Sequence, residues 1–177
     1  RIRLVGERAA DGDISGVIEI ELAPGWKTYW RSPGDAGIAP RFDFSGSTGA
    51  SDPAIEYPPP ERSGDAFAVS NVYHDRVALP FRLASADGSA PVRLELAADL
   101  GVCEEICLPV RLTASLDLPV GEPDNAADGL IREARAALPG PGRPGEFEIL
   151  SLRQVGGDEA APVFEAAVHA AGGTDTL

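Results

Sequence analysis

Two cysteines stand four positions apart in the stretch Asp99-Leu-Gly-Val-Cys-Glu-Glu-Ile-Cys-Leu-Pro-Val110, and the 177-residue chain has no others. Cys103 and Cys107 are the residues with the most distinct chemistry, and three uses are open to them: a structural bridge, a metal clip or a redox pair. On a regular strand, positions four apart lie about 13 Å from each other, beyond disulfide reach. On a helix they would be about 6 Å apart, but Pro109 disfavours helix at Leu108. The remaining arrangement is a tight turn with Glu104, Glu105 and Ile106 at its tip. A bridge closing so short a loop gains only about 2 kcal/mol from chain entropy, where a long loop gains nearer 4 to 5 kcal/mol. A short bridge at a surface tip is also easy to reach and to exchange. Glu104 and Glu105 disfavour thiolate, so the pair is expected to react only when a partner shields or activates it.

The metal use needs further ligands. Two thiolates can hold Cu(I), with His74 as a third donor. The chain has no second Cys pair and no His-x-x-x-His, so zinc is not expected. No Gly-rich phosphate loop follows a strand, and no other nucleophile stands beside a base. No cofactor is called for. Trp26, Tyr29 and Trp30 are read first as core aromatics, with a binding face as the other use.

The elements that must position the pair are mostly β. The chain is 44% hydrophobic, enough for a real core, and its 20 glycines and 16 prolines favour a turn-rich β fold. Ile14–Leu22, Trp26–Trp30, Arg41–Phe44, Ala54–Tyr57 and Arg76–Leu83 read as short strands. The clearest alternation flanks the cysteines: Val92, Leu94 and Leu96 before them, and Val110, Leu112, Ala114, Leu116 and Leu118 after them. Residues 1–120 are therefore expected to form an immunoglobulin-like β-sandwich. Glu61–Asp75 reads as a long loop, of a length more often functional than not. Apolar positions 126, 127, 130, 131, 134 and 138 predict a helix, with Asp124 as N-cap and Pro139-Gly140 as stop. Helix and Gly/Pro linker occupy 121–145. Residues 146–177 carry two more strands, Phe147–Val155 and Val163–His169, expected to begin a second β domain because two strands alone are marginal.

The net charge of −13 excludes nucleic acid and anionic lipid surfaces as partners, since both require a basic face. No run of about 18 apolar residues is present, so no membrane contact is expected of this segment. Arg1–Val5 is too short and polar for a signal peptide. Two cysteines without methionine fit an oxidising compartment.

Four stretches in order carry a resemblance: Gly25-Trp-Lys-Thr-Tyr-Trp-Arg-Ser-Pro-Gly-Asp-Ala-Gly37, Phe42-Asp-Phe-Ser-Gly46, Tyr57-Pro-Pro-Pro60 and Val102-Cys-Glu-Glu-Ile-Cys-Leu-Pro109. Together they resemble the N-terminal periplasmic domain of the DsbD-like transmembrane reductases, and within that group the ScsB branch, linked to copper tolerance. The resemblance implies an immunoglobulin-like domain that receives electrons from a thioredoxin-like domain of the same inner-membrane protein. It would hand them to periplasmic acceptors of thioredoxin-fold or peroxiredoxin-like type. It implies that Cys103 and Cys107 are the redox pair, with Cys107 forming the mixed disulfide with the donor and Cys103 resolving it. It also implies a cap loop over the pair, for which Glu61–Asp75 is the candidate, with Phe67, Tyr73 and His74 as its covering side chains. The rival reading from the residues is a copper-binding or protein-binding immunoglobulin-like module whose disulfide is only structural.

Overall fold

The computed structural model describes residues 1–8, 12–50, 53–64, 68–85, 90–119, 125–140, 146–159, 161–170 and 173–176. Chain contacts divide it into two units, Arg1–Pro139 and Gly140–Leu177.

The first unit is two antiparallel sheets face to face. One has the order β1 (Ile2–Arg8), β2 (Ile14–Glu21), β8 (Arg76–Leu83), β5 (Ala54–Ile55). The other runs β10 (Cys107–Leu118), β9 (Val92–Cys103), β3 (Lys27–Gly34), β7 (Val69–His74), β6 (Glu61–Gly64), with β4 (Arg41–Asp43) paired to β9. Ile14, Ile18, Leu79, Phe81 and Leu83 of the first sheet meet Leu94, Leu96, Ala98 and Leu100 of the second in one buried core. The period-2 pattern read along β9 and β10 is the pattern of that core. This is the immunoglobulin-like sandwich expected from the sequence.

Helix α1 (Asn125–Ala136) belongs to this unit. Its Ala127, Ile131 and Ala134 bury Val17 on the outer face of β2. That explains why β2 is buried on both faces although its sequence only alternates. The first unit thus extends to Pro139, past the expected boundary at 120, and the helix is packed rather than part of a linker. The N-cap proposed at Asp124 lies outside the described residues.

The expected loop Glu61–Asp75 is largely a hairpin instead. β6 pairs β7 from Glu61↔Val72 to Gly64↔Val69. β7 turns into β8 through Asp75, whose φ of 56° lies in the left-handed region, a conformation Asp tolerates better than most residues. The Asp75 carbonyl accepts from the Leu22 amide at 2.7 Å and its carboxylate from the Gly25 amide at 3.4 Å. This ties the turn before β3 to the turn after β7.

The second unit is a three-stranded antiparallel sheet, β11 (Phe147–Gly157), β12 (Pro162–Ala170) and β13 (Gly173–Thr176). Two register shifts interrupt the β11–β12 ladder. Arg153 Nε donates to Glu165 Oε1 at 2.8 Å across the two strands.

One charged group is buried on the outer face of the first sheet. Glu19 is 3% exposed and accepts from Arg3 Nε at 2.7 Å and Arg76 Nε at 3.0 Å. Burial pushes its carboxyl up, but the two guanidinium groups outweigh that and hold it below the ordinary glutamate value. A depressed native pKa contributes stability that is present above the unfolded value of about 4.3 and lost as the pH falls through the lowered native one. Glu19→Gln should cost about 2 kcal/mol at pH 7 and flatten the loss of stability below about pH 4. Urea denaturation across a pH series measures both. An unchanged acid slope in the variant would assign that loss to other carboxylates.

Candidate functional site

The site is built on the β9–β10 hairpin. The ladder runs from Leu118↔Val92 to Cys107↔Cys103, and Glu104, Glu105 and Ile106 make the turn. Cys103 and Cys107 are the last pair of the ladder, joined by a disulfide with their Cα atoms 4.1 Å apart. The tight turn derived from their spacing is the arrangement found. The hairpin is held by its ladder and by the core below it, so the bridge at its tip adds little to holding the strands together.

The two sulfurs sit in different surroundings. Cys103 is 1% exposed, whereas Cys107 is exposed at the edge strand, next to an Ile106 that is 73% exposed. Along β9 the outward-facing positions are at least partly open up to Asp99, but Gly101 and Cys103 are buried. The cover is Tyr29. Its ring lies against Gly101 and Gly37: a Cβ at Gly101 would stand 3.1 Å from the ring and 2.7 Å from Ile38 Cβ, and one at Gly37 would stand 2.7 Å from the ring. Neither position has room for a larger residue. Thr28, beside Tyr29 but on the inner face, donates its hydroxyl to the Gly101 carbonyl at 2.9 Å and pins β3 to β9. The Tyr29 hydroxyl then lies 3.1 Å from Cys103 Sγ and 3.2 Å from Cys107 Sγ.

This geometry suits thiol–disulfide exchange. Cys107 is the exposed member of the pair, and its Sγ also lies against the Tyr29 hydroxyl. Cys103 is enclosed, with a phenol placed to donate to a charge that forms on its sulfur. The sequence places Tyr29 first among core aromatics. It is buried, but its hydroxyl belongs to the site. Its contact spans 74 positions of sequence, and only the order of strands in the sheet could have shown it.

The three cap candidates separate. Phe67 lies outside the described residues. Tyr73 does not cover the pair: it faces the core, with its hydroxyl donating to the Pro58 carbonyl at 2.7 Å, and burial pushes that hydroxyl well above the ordinary tyrosine range. Strand parity is the reason, since Tyr73 pairs with Thr28 on the inner face. His74 does share the outer face with Cys103, but Lys27 stands between them in the register. A cation there opposes the use of His74 as a third Cu(I) ligand. Among the described residues no group of three or more His, Cys, Asp and Glu is placed to hold a metal ion. None of their helices is long and apolar enough to cross a membrane.

Replacing Tyr29 with Phe should keep the fold and remove one hydrogen bond that is stronger to thiol or thiolate than to disulfide sulfur. The reduced form then loses the larger stabilisation. The reduction potential should become more negative by roughly 20 mV, the equivalent of about 1 kcal/mol for two electrons. Equilibration with glutathione buffers measures it; a shift to less negative values would mean that the phenol favours the disulfide.

Comparison with known proteins bears on the same residues. The structure of the N-terminal periplasmic domain of ScsB from Proteus mirabilis shares the fold, with a TM-score of 0.65 and 20% identity, covering 98% of this chain and 89% of that one. The reduced N-terminal domain of Neisseria meningitidis DsbD is 19% identical over 68% of this chain and 90% of its own, with a TM-score of 0.39. The complex of the DsbD and PilB N-terminal domains from the same organism gives 16% identity, 63% and 79% coverage and a TM-score of 0.34. No curated protein is similar enough to this chain to count as a match. The family described as thiol:disulfide interchange protein DsbD, N-terminal, matches residues 4–119, which span the sandwich, Tyr29 and both cysteines. The chain therefore belongs to the DsbD N-terminal family of thiol:disulfide interchange domains.

Proposed function

We propose that this chain is a periplasmic electron-relay domain of a protein-disulfide reductase, with Cys107 as the sulfur that partners attack and Cys103 as the resolving sulfur. The observation that carries the assignment is the asymmetry of the pair, an exposed Cys107 bridged to an enclosed Cys103. A thioredoxin-like domain of the same membrane protein is the proposed donor. Its thiolate bonds to Cys107 Sγ, the Cys103–Cys107 bond breaks, and its electron pair stays on Cys103. The donor's second thiolate then attacks its own half of the mixed disulfide and releases Cys107 reduced. In the reverse sense Cys107 attacks an acceptor disulfide, and Cys103 closes the ring again and frees the acceptor reduced. Thioredoxin-fold or peroxiredoxin-like proteins are the proposed acceptors. The likeness of its motifs to the ScsB branch supports a place in copper tolerance. His74 and Phe67 are retained as candidates for covering the pair. Residues 146–177 form a β segment separate from the exchange domain.

Single-cysteine variants test the order of attack. With a reduced thioredoxin-fold protein lacking its own resolving cysteine as probe, and each variant activated as a mixed disulfide with thionitrobenzoate, Cys103→Ser should form the protein–protein mixed disulfide at least tenfold faster than Cys107→Ser. Equal rates would overturn the assignment of Cys107. The intact pair should equilibrate in the range of exchange proteins, roughly −180 to −270 mV. A value below about −300 mV would mark a structural bridge, and the binding-module reading would replace this one.

A further inference from the structure

The chain carries fourteen arginines and a single lysine, Lys27. The strand register sets that lysine directly opposite Cys103 on one side and His74 on the other. Directly opposed residues project from the same face of a sheet, with Cβ atoms about 5 Å apart. Lys27 therefore shares the outer face with Tyr29, whose hydroxyl contacts both sulfurs. It is half-buried, and its Nζ donates to Ser63 Oγ on β6 at 3.2 Å. Elsewhere the ion pairs at Glu19, Asp99 and Asp117 use arginine. The two cations differ: a guanidinium is a planar fork suited to carboxylates, whereas an ammonium is a compact charge on a flexible stem that can follow a charge as it appears.

We propose that Lys27 is a positioning residue for the exchange reaction, its ammonium stabilising the thiolate that forms on Cys103. This deepens the interchange reading and rests on it. When a partner thiolate bonds to Cys107 Sγ, the bond between the cysteines breaks and Cys103 Sγ keeps the electron pair as a thiolate. That sulfur is enclosed, and an enclosed thiolate without a counter-charge is unfavourable. Tyr29 and Cys107 touch it; by register and sequence the other titratable or charged neighbours are Lys27 from β3, His74 from β7, and Glu104 and Glu105 from the turn. Farther along the hairpin Arg111 is already paired with Asp99, and Asp75 engages the Gly25 amide. The two glutamates oppose the thiolate. Lys27 is the cationic residue on the adjacent strand position, whereas His74 stands two strand spacings from Cys103, about 10 Å. In the oxidised chain the ammonium rests on the Ser63 hydroxyl of β6, on the side of β3 away from β9, so reaching Cys103 requires the side chain to swing back across its own strand and to give up that hydrogen bond.

Cys107→Ser protein leaves Cys103 as a lone thiol, whose ionisation is read by absorbance at 240 nm against pH. Adding Lys27→Met should lower the thiolate population at fixed pH by about threefold, the effect of one charge at about 6 Å in a largely aqueous dielectric. Lys27→Arg should retain most of the thiolate, and His74→Gln should leave the midpoint in place. Ser63→Ala removes the contact between lysine and hairpin but not the charge, and should not raise the midpoint. If Lys27→Met titrates like its parent, or Ser63→Ala reproduces its shift, the proposal is overturned. Should Lys27→Met lose its near-ultraviolet dichroism, acetylation of the folded Cys107→Ser protein neutralises the only lysine. Acetylated Lys27→Arg protein then serves as control for the terminal amine, and the same drop of about threefold is expected. The titration needs no exchange partner. A pair that resists reduction would sink the interchange reading, whereas an unmoved titration would sink the role of Lys27 alone.

Discussion

The Tyr29 ring occupies a slot that exists because positions 37 and 101 have no side chains. The cysteine end of the domain depends on this contact. The ring covers β9 where its alternation would otherwise leave Cys103 open, and its hydroxyl reaches both sulfurs. The pair is thereby made unequal, with one cysteine exposed and the other buried. Two identical residues four positions apart acquire different chemistry from their cover, not from their sequence neighbours.

The rest of the first unit keeps that slot in register. Leu94, Leu96 and Leu100 anchor the inner face of β9 in the core shared with β2 and β8. Helix α1 seals the outer face of β2, and Glu19 draws Arg3 and Arg76 together on the same sheet. Asp75 ties the turns at the ends of β3 and β7. A shift of β3 by one residue would send Tyr29 into the core and bring Thr28 to the sulfurs, because strand parity leaves no intermediate arrangement.

Much of this was legible in the sequence where a local rule applied. The alternation around the cysteines described β9 and β10, the spacing of the cysteines required a tight turn, and the helical stripe predicted α1. Four ordered motifs pointed to the family. What the sequence hid was pairing between distant segments. Glu61–Asp75 lacks a clean period, yet its backbone pairs as β6 and β7. Tyr73 is an aromatic residue beside a polar stretch, and nothing local says that its parity turns it inward. The helix looked like the edge of a linker because its target, Val17, lies more than a hundred residues earlier in the chain.

The place of the disulfide in the hairpin has a thermodynamic consequence. Folding and oxidation form a closed cycle, so whatever free energy a bridge lends to the fold, the fold returns to the bridge as resistance to reduction. A disulfide that spans a long loop is protected in this way by the structure it stabilises. The Cys103–Cys107 bridge closes a turn that eleven further paired positions already hold, so it lends the fold little and receives little in return. The domain can pass through its reduced state as the same folded object. Its redox poise is then a local property of the hairpin tip, separable from the stability of the sandwich beneath it.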